Sequence, residues 1–258
     1  MKKVDTYPGA KTNSGLIQFL INNMQLHDCY FELFAGTAKL FRTKRPAAYN
    51  WINDIDPKAP ALIDKNDIYK ECFTIMSMTA VIELTDYDKN IVYSCIEAMA
   101  IIEKNAKYFN RNHFIYLDPP YTFSSRRSGK KYYKHEVDFD YHRRLLDKIQ
   151  SIDANVMIST KEDDLYNEKL KSWRKASFLT TDRQGTYEEI IFMNYDPPAL
   201  LHQYDFLGKN FTDRQRIQRK IKRLNDKISM LPGDEKNALL AAIVKNNQTA
   251  ASIFINQI

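Results

Sequence analysis

Apolar and polar positions alternate over the first 200 residues in a pattern that predicts short buried strands separated by helices. Leu16, Ile17, Leu20, Ile21 and Met24 form a helical stripe that Asn13 or Ser14 can cap. Cys29-Tyr30-Phe31-Glu32-Leu33-Phe34 reads as a buried strand that runs into Ala35-Gly36-Thr37-Ala38, and Ala48–Ile52 as a second, followed by Asn53-Asp54-Ile55-Asp56-Pro57. Residues 60–82 carry helical spacing through Leu62, Ile63, Ile68, Tyr69, Phe73 and Met76. Asn90–Ser94 is a strand, and the helix opened by Cys95-Ile96-Glu97-Ala98 keeps Met99, Ile102 and Ala106 on one side. Ile115-Tyr116-Leu117 is a strand stopped by Asp118-Pro119-Pro120-Tyr121, because proline cannot continue a ladder. A helix from Asp138 buries Tyr141, Leu145, Leu146 and Ile149; a strand at Asn155–Ser159 and a helix around Glu162–Lys171 follow. Trp173–Thr180 and Tyr187–Tyr195 flank the hairpin signal Asp182-Arg183-Gln184-Gly185. Strands alternating with helices predict a three-layer, Rossmann-like α/β sheet, mostly parallel with a closing antiparallel hairpin.

The tail changes character at Phe211. Ile217, Ile221, Leu224 and Ile228 recur at helical spacing, and Arg216, Lys220, Arg223 and Lys227 repeat that spacing on an adjacent face. Pro232-Gly233 breaks this helix, and Asp234 can cap a second one carrying Leu239, Leu240 and Ile243. The expected organisation is a main domain over residues 1–205 and a basic helical hairpin over 206–258. The hairpin's apolar side must dock on something; its cations are either solvated or a rail for a nucleic-acid backbone.

Composition narrows the class. With 258 residues, 44% hydrophobic and 27% charged, the chain suits an ordinary soluble globular protein. A net charge of +6 weakly favours a polyanionic partner. Cys29, Cys72 and Cys95 are far apart and the five histidines are scattered, which points away from a disulfide framework and a metal site and fits a reducing cytosol. MKKVDTYPG lacks a signal's apolar core, and no run of 18 apolar residues predicts a membrane span.

The chemistry concentrates at strand ends. Asp118, the Pro119 carbonyl and the Tyr121 ring would stand together at a sheet rim, the place where open α/β sheets bind ligands. A carboxylate, a carbonyl and a ring face suit a flat ring bearing an exocyclic amine. Gly36 followed by an acid at Asp54 has the spacing of a nucleotide-binding crossover, with Asp54 on ribose hydroxyls or merely capping the next helix. Glu97 sits at a strand–helix junction, either at the site or as a dipole partner. The Phe123–His135 loop interleaves Arg126, Arg127, Lys130, Lys131 and Lys134 with Tyr132 and Tyr133, which is what a nucleic-acid-contacting loop needs. Asp196-Pro197-Pro198-Ala199 mimics the central motif but lacks a ring, and reads as a turn.

These pieces resemble the Dam-like (alpha-group) adenine-specific DNA methyltransferases over nearly the whole chain. TYPGAK (6–11) is similar to the family's amino-terminal motif, FELFAGTA (31–38) to its methyl-donor motif, NDIDP (53–57) to its acidic motif and LDPPY (117–121) to its catalytic motif. RRSGKKYYKHE (126–136), VMIST (156–160) and EEIIFMNY (188–195) look like further family blocks. Ala10 and Ala38-Lys39 depart from glycines usual in the family. The resemblance implies S-adenosylmethionine as donor, with Tyr7, Lys11, Glu32, Phe34, Gly36, Asp54 and Glu97 around it. Asp118 and the Pro119 carbonyl would receive the target amine, with Pro120 shaping the turn and Tyr121 stacking on the flipped base. Arg126, Arg127, Lys130, Lys131, Tyr132 and Tyr133 would face double-stranded DNA. It implies no metal and no membrane, a cytoplasmic, DNA-associated protein of prokaryotic or phage type, and leaves a cognate restriction endonuclease open as a partner. Two other readings stay open: the same site acting on RNA or a protein amide, and a non-catalytic nucleic-acid-binding relative.

Overall fold

The computed structural model describes residues 15–59, 91–126, 131, 133–182 and 185–248. The chain divides into two compact units, Met1–Phe206 and Leu207–Ile258. The helix expected over 60–82 lies outside the described residues, as do Asn13 and Ser14.

Within the first unit the element order is α1 (Leu16–Ile21), β1 (Cys29–Glu32), α2 (Lys39–Thr43), β2 (Tyr49–Asn53), β3 (Ile91–Ser94), α3 (Ala98–Asn105), β4 (His113–Leu117), α4 (Phe139–Gln150), β5 (Asn155–Thr160), α5 (Asp164–Lys169), β6 (Arg174–Asp182) and β7 (Gly185–Met193). The seven strands form one sheet in the order β3-β2-β1-β4-β5-β7-β6. The first five pair in parallel, and β7 closes the sheet antiparallel to both β5 and β6. This is the three-layer, mostly parallel α/β architecture with a closing hairpin that the periodicity predicts. The hairpin strands are shifted by one or two residues from expectation, and α5 is shorter than the 162–171 pattern suggests.

Side chains alternate across the fully buried central strands, so each face builds its own core. Phe31, Leu33, Trp51, Ile115, Leu117, Val156 and Ile158 pack with Met99, Ile102, Leu145, Leu146 and Ile149 on one face. Tyr30, Ile52, Phe114, Tyr116 and Met157 pack with Leu16, Leu20, Ile21, Leu40 and Phe41 on the other. On α4 the inward residues are His142, Leu145, Leu146 and Ile149, whereas Tyr141 is half-buried and turned to the strand ends. Asp138 caps that helix by accepting from the Tyr141 amide.

Strand order reverses between β1 and β4: β1 leads outward to β2 and β3, while β4 leads to β5. At such a switch the connections diverge to opposite faces and leave a crevice at the carboxyl ends. The turns after β1, β2, β3 and β4 carry Gly36, Asp54, Glu97 and Asp118, so the topology brings four separate candidates to one rim. The Asp196 look-alike follows β7, whose antiparallel course puts Met193 opposite Met157 near the start of β5. It therefore sits on the far rim.

The second unit contains α6 (Phe211–Ser229) and α7 (Gly233–Asn246). Neither helix has a buried residue. No helix among the described residues is long and apolar enough to cross a membrane.

Candidate functional site

At the switch point lies a cleft of about 540 Å³ lined by Glu32, Leu33, Phe34, Gly36, Asp54, Ile55, Asp56, Glu97, Tyr116, Asp118, Pro120 and Tyr141, with residues 133–138 on its outer side. Its volume is in the range of sites that enclose a small molecule.

The floor is wired by backbone and side-chain hydrogen bonds between the strand ends. Asn53, fully buried at the end of β2, donates to the carbonyls of Leu33 (3.1 Å) and Ile96 (2.8 Å). Its amide oxygen accepts from the Ser94 hydroxyl and the Ile96 amide. One side chain thus ties the turns after β1 and β3 to β2. Asp54 is buried and accepts from the Gly36 amide through Oδ2 (2.7 Å) and from the Asp56 amide through Oδ1 (2.9 Å). Burial pushes its carboxyl up, and those two amides pull it back. Asp54 therefore shapes the glycine turn and stands in the cleft at once.

The turn after β1 holds two left-handed residues, Gly36 (φ 51°) and Ala38 (φ 48°). Glycine takes that conformation freely, whereas alanine there costs about 1 kcal/mol. The missing second glycine is thus met by a strained alanine rather than by a different turn, and the Ala38 amide still bonds to the Ala35 carbonyl.

Glu32, buried at the end of β1, accepts from the Tyr30 hydroxyl (2.8 Å) and the Phe41 amide (3.1 Å). Burial, with Asp118 adding to it, raises its carboxyl to about 7 against those two donors. Behind it Lys44 is buried beneath the Tyr30 ring and lowered to about 7 by desolvation. Glu97 stands at the amino end of α3. It caps α3 by accepting from the Met99 and Ala100 amides, and it lines the cleft while accepting from the Tyr141 hydroxyl at 2.5 Å.

Asp118 follows β4 directly and is half-buried at the cleft; Pro119 is buried and Pro120 half-buried. Two groups brace the turn from below. The buried Thr122 hydroxyl donates to Asp163, which also caps α5. His142, fully buried, accepts or donates at Nδ1 with the Tyr166 hydroxyl (2.8 Å) and lies against the Pro120 carbonyl; burial lowers it to about 4. Tyr121 is half-buried, and its hydroxyl is shared between both oxygens of Glu189 on β7, at 2.9 and 3.0 Å. Glu189 is itself fully buried. The Lys161 ammonium lies 5.9 Å from the Tyr121 ring and 4.3 Å from that of Tyr187. Glu189 tethers the ring. Glu189 is not among the strand-end candidates of the sequence, although an acid at the start of the apolar run Ile190-Ile191-Phe192-Met193 is a signal that it needs a partner.

The loop residues fall into two classes. Arg126 is 7% exposed, and its guanidinium binds Glu136 through two nitrogens (2.8 and 2.5 Å) and the Tyr121 carbonyl through Nε (2.8 Å). Its plane lies over the Phe123 ring at 4.6 Å. The structure therefore places Arg126 as an internal clamp between the motif's last residue and the far side of the loop, not as an outward cation. A fork of donors beside a carboxylate ten residues away is satisfied internally before it reaches solvent. Lys131 is exposed, Tyr133 half-buried, and Lys134 pairs with Asp56 at 3.1 Å. Tyr7, Lys11, Arg127, Lys130 and Tyr132 lie outside the described residues.

The charge of the cleft limits its ligand. Glu32, Asp54, Asp56, Glu97, Asp118, Glu136 and Asp138 line it against Lys39, Lys134 and Arg144. Two of those acids are neutralised in place, Asp56 by Lys134 and Glu136 by Arg126. Among the described residues, and with Glu32 about half protonated near pH 7, the remaining acids still outnumber Lys39 and Arg144, which favours cationic groups and hydroxyls over several phosphates.

No protein-family model and no curated protein matches the sequence. Among solved structures, the chain is similar to a SAM-dependent methyltransferase from Agrobacterium tumefaciens at 14% identity and a TM-score of 0.41. That match covers 69% of this chain and 60% of that one. It is also similar to a putative tRNA methyltransferase from Streptococcus pneumoniae at 11% identity and a TM-score of 0.41, covering 88% and 95% of the two chains. A third likeness is to M. capricolum TrmK in complex with S-adenosyl-homocysteine, at 9% identity and a TM-score of 0.40, covering 92% and 96%. Likenesses this distant add no weight to any assignment of activity, which rests on the residues at the rim.

Proposed function

We propose that this chain is an S-adenosylmethionine-dependent methyltransferase acting on the exocyclic amine of adenine in duplex DNA. The observation that carries the reading is the Asp118–Tyr121 turn at the carboxyl end of β4, beside an acid-lined cleft at the strand-order switch. The cleft suits the donor's chemistry: its sulfonium and ammonium groups match the excess of carboxylates, and Asp54, at the end of β2, would take the ribose hydroxyls. When bound, the donor supplies an electrophilic methyl group.

The chain's own residues do the rest. Adenine's amino nitrogen is a poor nucleophile because its lone pair is delocalised into the ring. Asp118 and the Pro119 carbonyl, accepting its two N–H groups, draw the nitrogen toward tetrahedral geometry and localise that pair. The charged contact is the stronger one, and it stabilises the positive charge that grows on nitrogen during transfer. Tyr121, its hydroxyl held by Glu189, offers a ring fixed in orientation for a flipped base to stack on. Pre-set acceptors and a pre-set ring place the amine without reorganisation at the moment of reaction.

The decisive test is Asp118→Ala: transfer to duplex DNA is lost while donor binding by calorimetry persists. Undiminished transfer in that variant refutes the site. Long-read modification mapping of DNA from a methylation-deficient host expressing the chain identifies the base and sequence. Label appearing only in RNA or protein pools incubated in parallel assigns the same turn to another amine.

A further inference from the structure

We infer that one face of α6 is a backbone-binding rail for duplex DNA; the choice of duplex DNA over other polyanions rests on the function proposed above. Residues 207–258 hold ten Lys and Arg against four Asp and Glu, which equals the net +6 of the entire chain. Residues 1–206 are therefore electrically balanced, and the protein's whole excess charge resides in the second unit. Most of it lies on α6, where Arg216, Lys220, Arg223 and Lys227 recur at intervals of four, three and four. At 100° per residue these four fall within one narrow sector, adjacent to the sector of Ile217, Ile221, Leu224 and Ile228. They extend over about 16 Å of axis. That length of duplex carries roughly ten phosphate charges.

Two further observations are compatible with a rail. The helix is fixed by its own sequence, because Asn210 caps it by accepting from the Asp213 amide and Asp213 in turn holds Arg216. Its geometry thus does not wait on a partner. Lys220, Arg223 and Lys227, moreover, have no ion-pair partner among the described residues, and no residue of α6 is buried. Cations at a regular spacing on a pre-formed, uncommitted face are complementary to a regular row of phosphates.

The test compares two full-length variants of equal charge. Lys220→Gln/Arg223→Gln/Lys227→Gln empties the stripe; Arg214→Gln/Arg219→Gln/Lys222→Gln removes the same charge from the rest of the helix surface. Binding to a fluorescent duplex of arbitrary sequence is followed by anisotropy across a salt series. Each phosphate contact contributes about 0.9 to the slope of log affinity against log salt, so the stripe variant should flatten it by about 2 to 3 and the off-stripe variant by less than about 1. Equal flattening by both, or none by either, overturns the rail. Should the stripe variant lose helix by circular dichroism, Lys220→Arg/Arg223→Lys/Lys227→Arg must retain the wild-type slope, and a lost slope there overturns it too. The binding readout is independent of methyl transfer. A flattened slope in a chain that methylates no DNA removes the proposed function and leaves the rail.

Discussion

The tether between Tyr121 and Glu189 can be tested apart from the ring it positions. Tyr121→Phe removes one hydroxyl and keeps the ring. That hydroxyl is a single donor divided between two oxygens at 2.9 and 3.0 Å, so it counts as one hydrogen bond to a charged acceptor. Such a bond is worth about 1.5–3 kcal/mol, and its loss leaves a fully buried carboxylate short of a donor. We expect Tyr121→Phe to lower stability by about 2 kcal/mol in urea denaturation with an unchanged m-value. In a Glu189→Gln background the acceptor is neutral, and the same change should cost only about 0.5–1 kcal/mol. The cycle should therefore show a coupling of about 1 kcal/mol or more. Additive effects within about 0.3 kcal/mol refute the tether. Activity supplies the second axis. On the proposed function, Tyr121→Phe should slow methyl transfer less than about tenfold, whereas Tyr121→Ala would forfeit base stacking worth about 1–3 kcal/mol and should lose roughly 5- to 150-fold.

Three further outcomes follow from the same geometry. Asn53→Ala removes four hydrogen bonds that join three strand ends, and should destabilise the protein by about 3 kcal/mol or more, read by thermal or chemical unfolding. Arg126→Met takes the forked guanidinium from the half-buried Glu136, which keeps the Tyr133 amide, and should cost about 1.5–3 kcal/mol, with Arg126→Lys rescuing little because it cannot fork; full rescue by lysine contradicts the clamp. His142 and His202 are held by burial at about 4 and about 3, below the unfolded value near 6.5. The unfolded chain binds those protons first, so stability should fall as pH drops below about 6.5, by about 1.4 kcal/mol per pH unit for each histidine. Glu32, raised to about 7, opposes this, because its folded form takes up a proton earlier than the unfolded chain. Its contribution to stability rises from about pH 7 down to about 4.5, and Glu32→Gln should steepen the acid loss.

The sheet was legible because buried strands concentrate β-branched and aromatic residues between turn formers, and Asp118-Pro119-Pro120-Tyr121 because prolines end a strand wherever it lies. Gly36, Asp54 and Glu97 were legible as strand-end residues, and the strand-order switch explains why four distant turns share a rim. Partnerships across long separations were not. Arg126 read as one cation among several, since its clamp depends on Glu136 folding back over it. Glu189 is paired with a residue 68 positions away, and nothing local marks Tyr121 as its partner. Asn53 looked like part of an acidic motif, yet its work is to join turns 20 and 43 residues distant. The charge split was legible too, since the boundary expected at 205/206 already leaves the first part with no excess charge and the structure's division at Phe206 keeps it.

The left-handed Ala38 has a kinetic consequence. Alanine is strained in that region, so the turn keeps its shape through the bonds that surround it rather than through Ala38's own preference. Asp54 fixes the turn at Gly36, Asn53 fixes it at Leu33, and Glu32 fixes the start of α2 at Phe41. Among the described residues, the turns after β1 and β2 that line this cleft are already tied, so their ordering adds no step to the capture of a small molecule. Single-exponential association whose rate rises linearly with ligand concentration, without a plateau, is the signature of that arrangement.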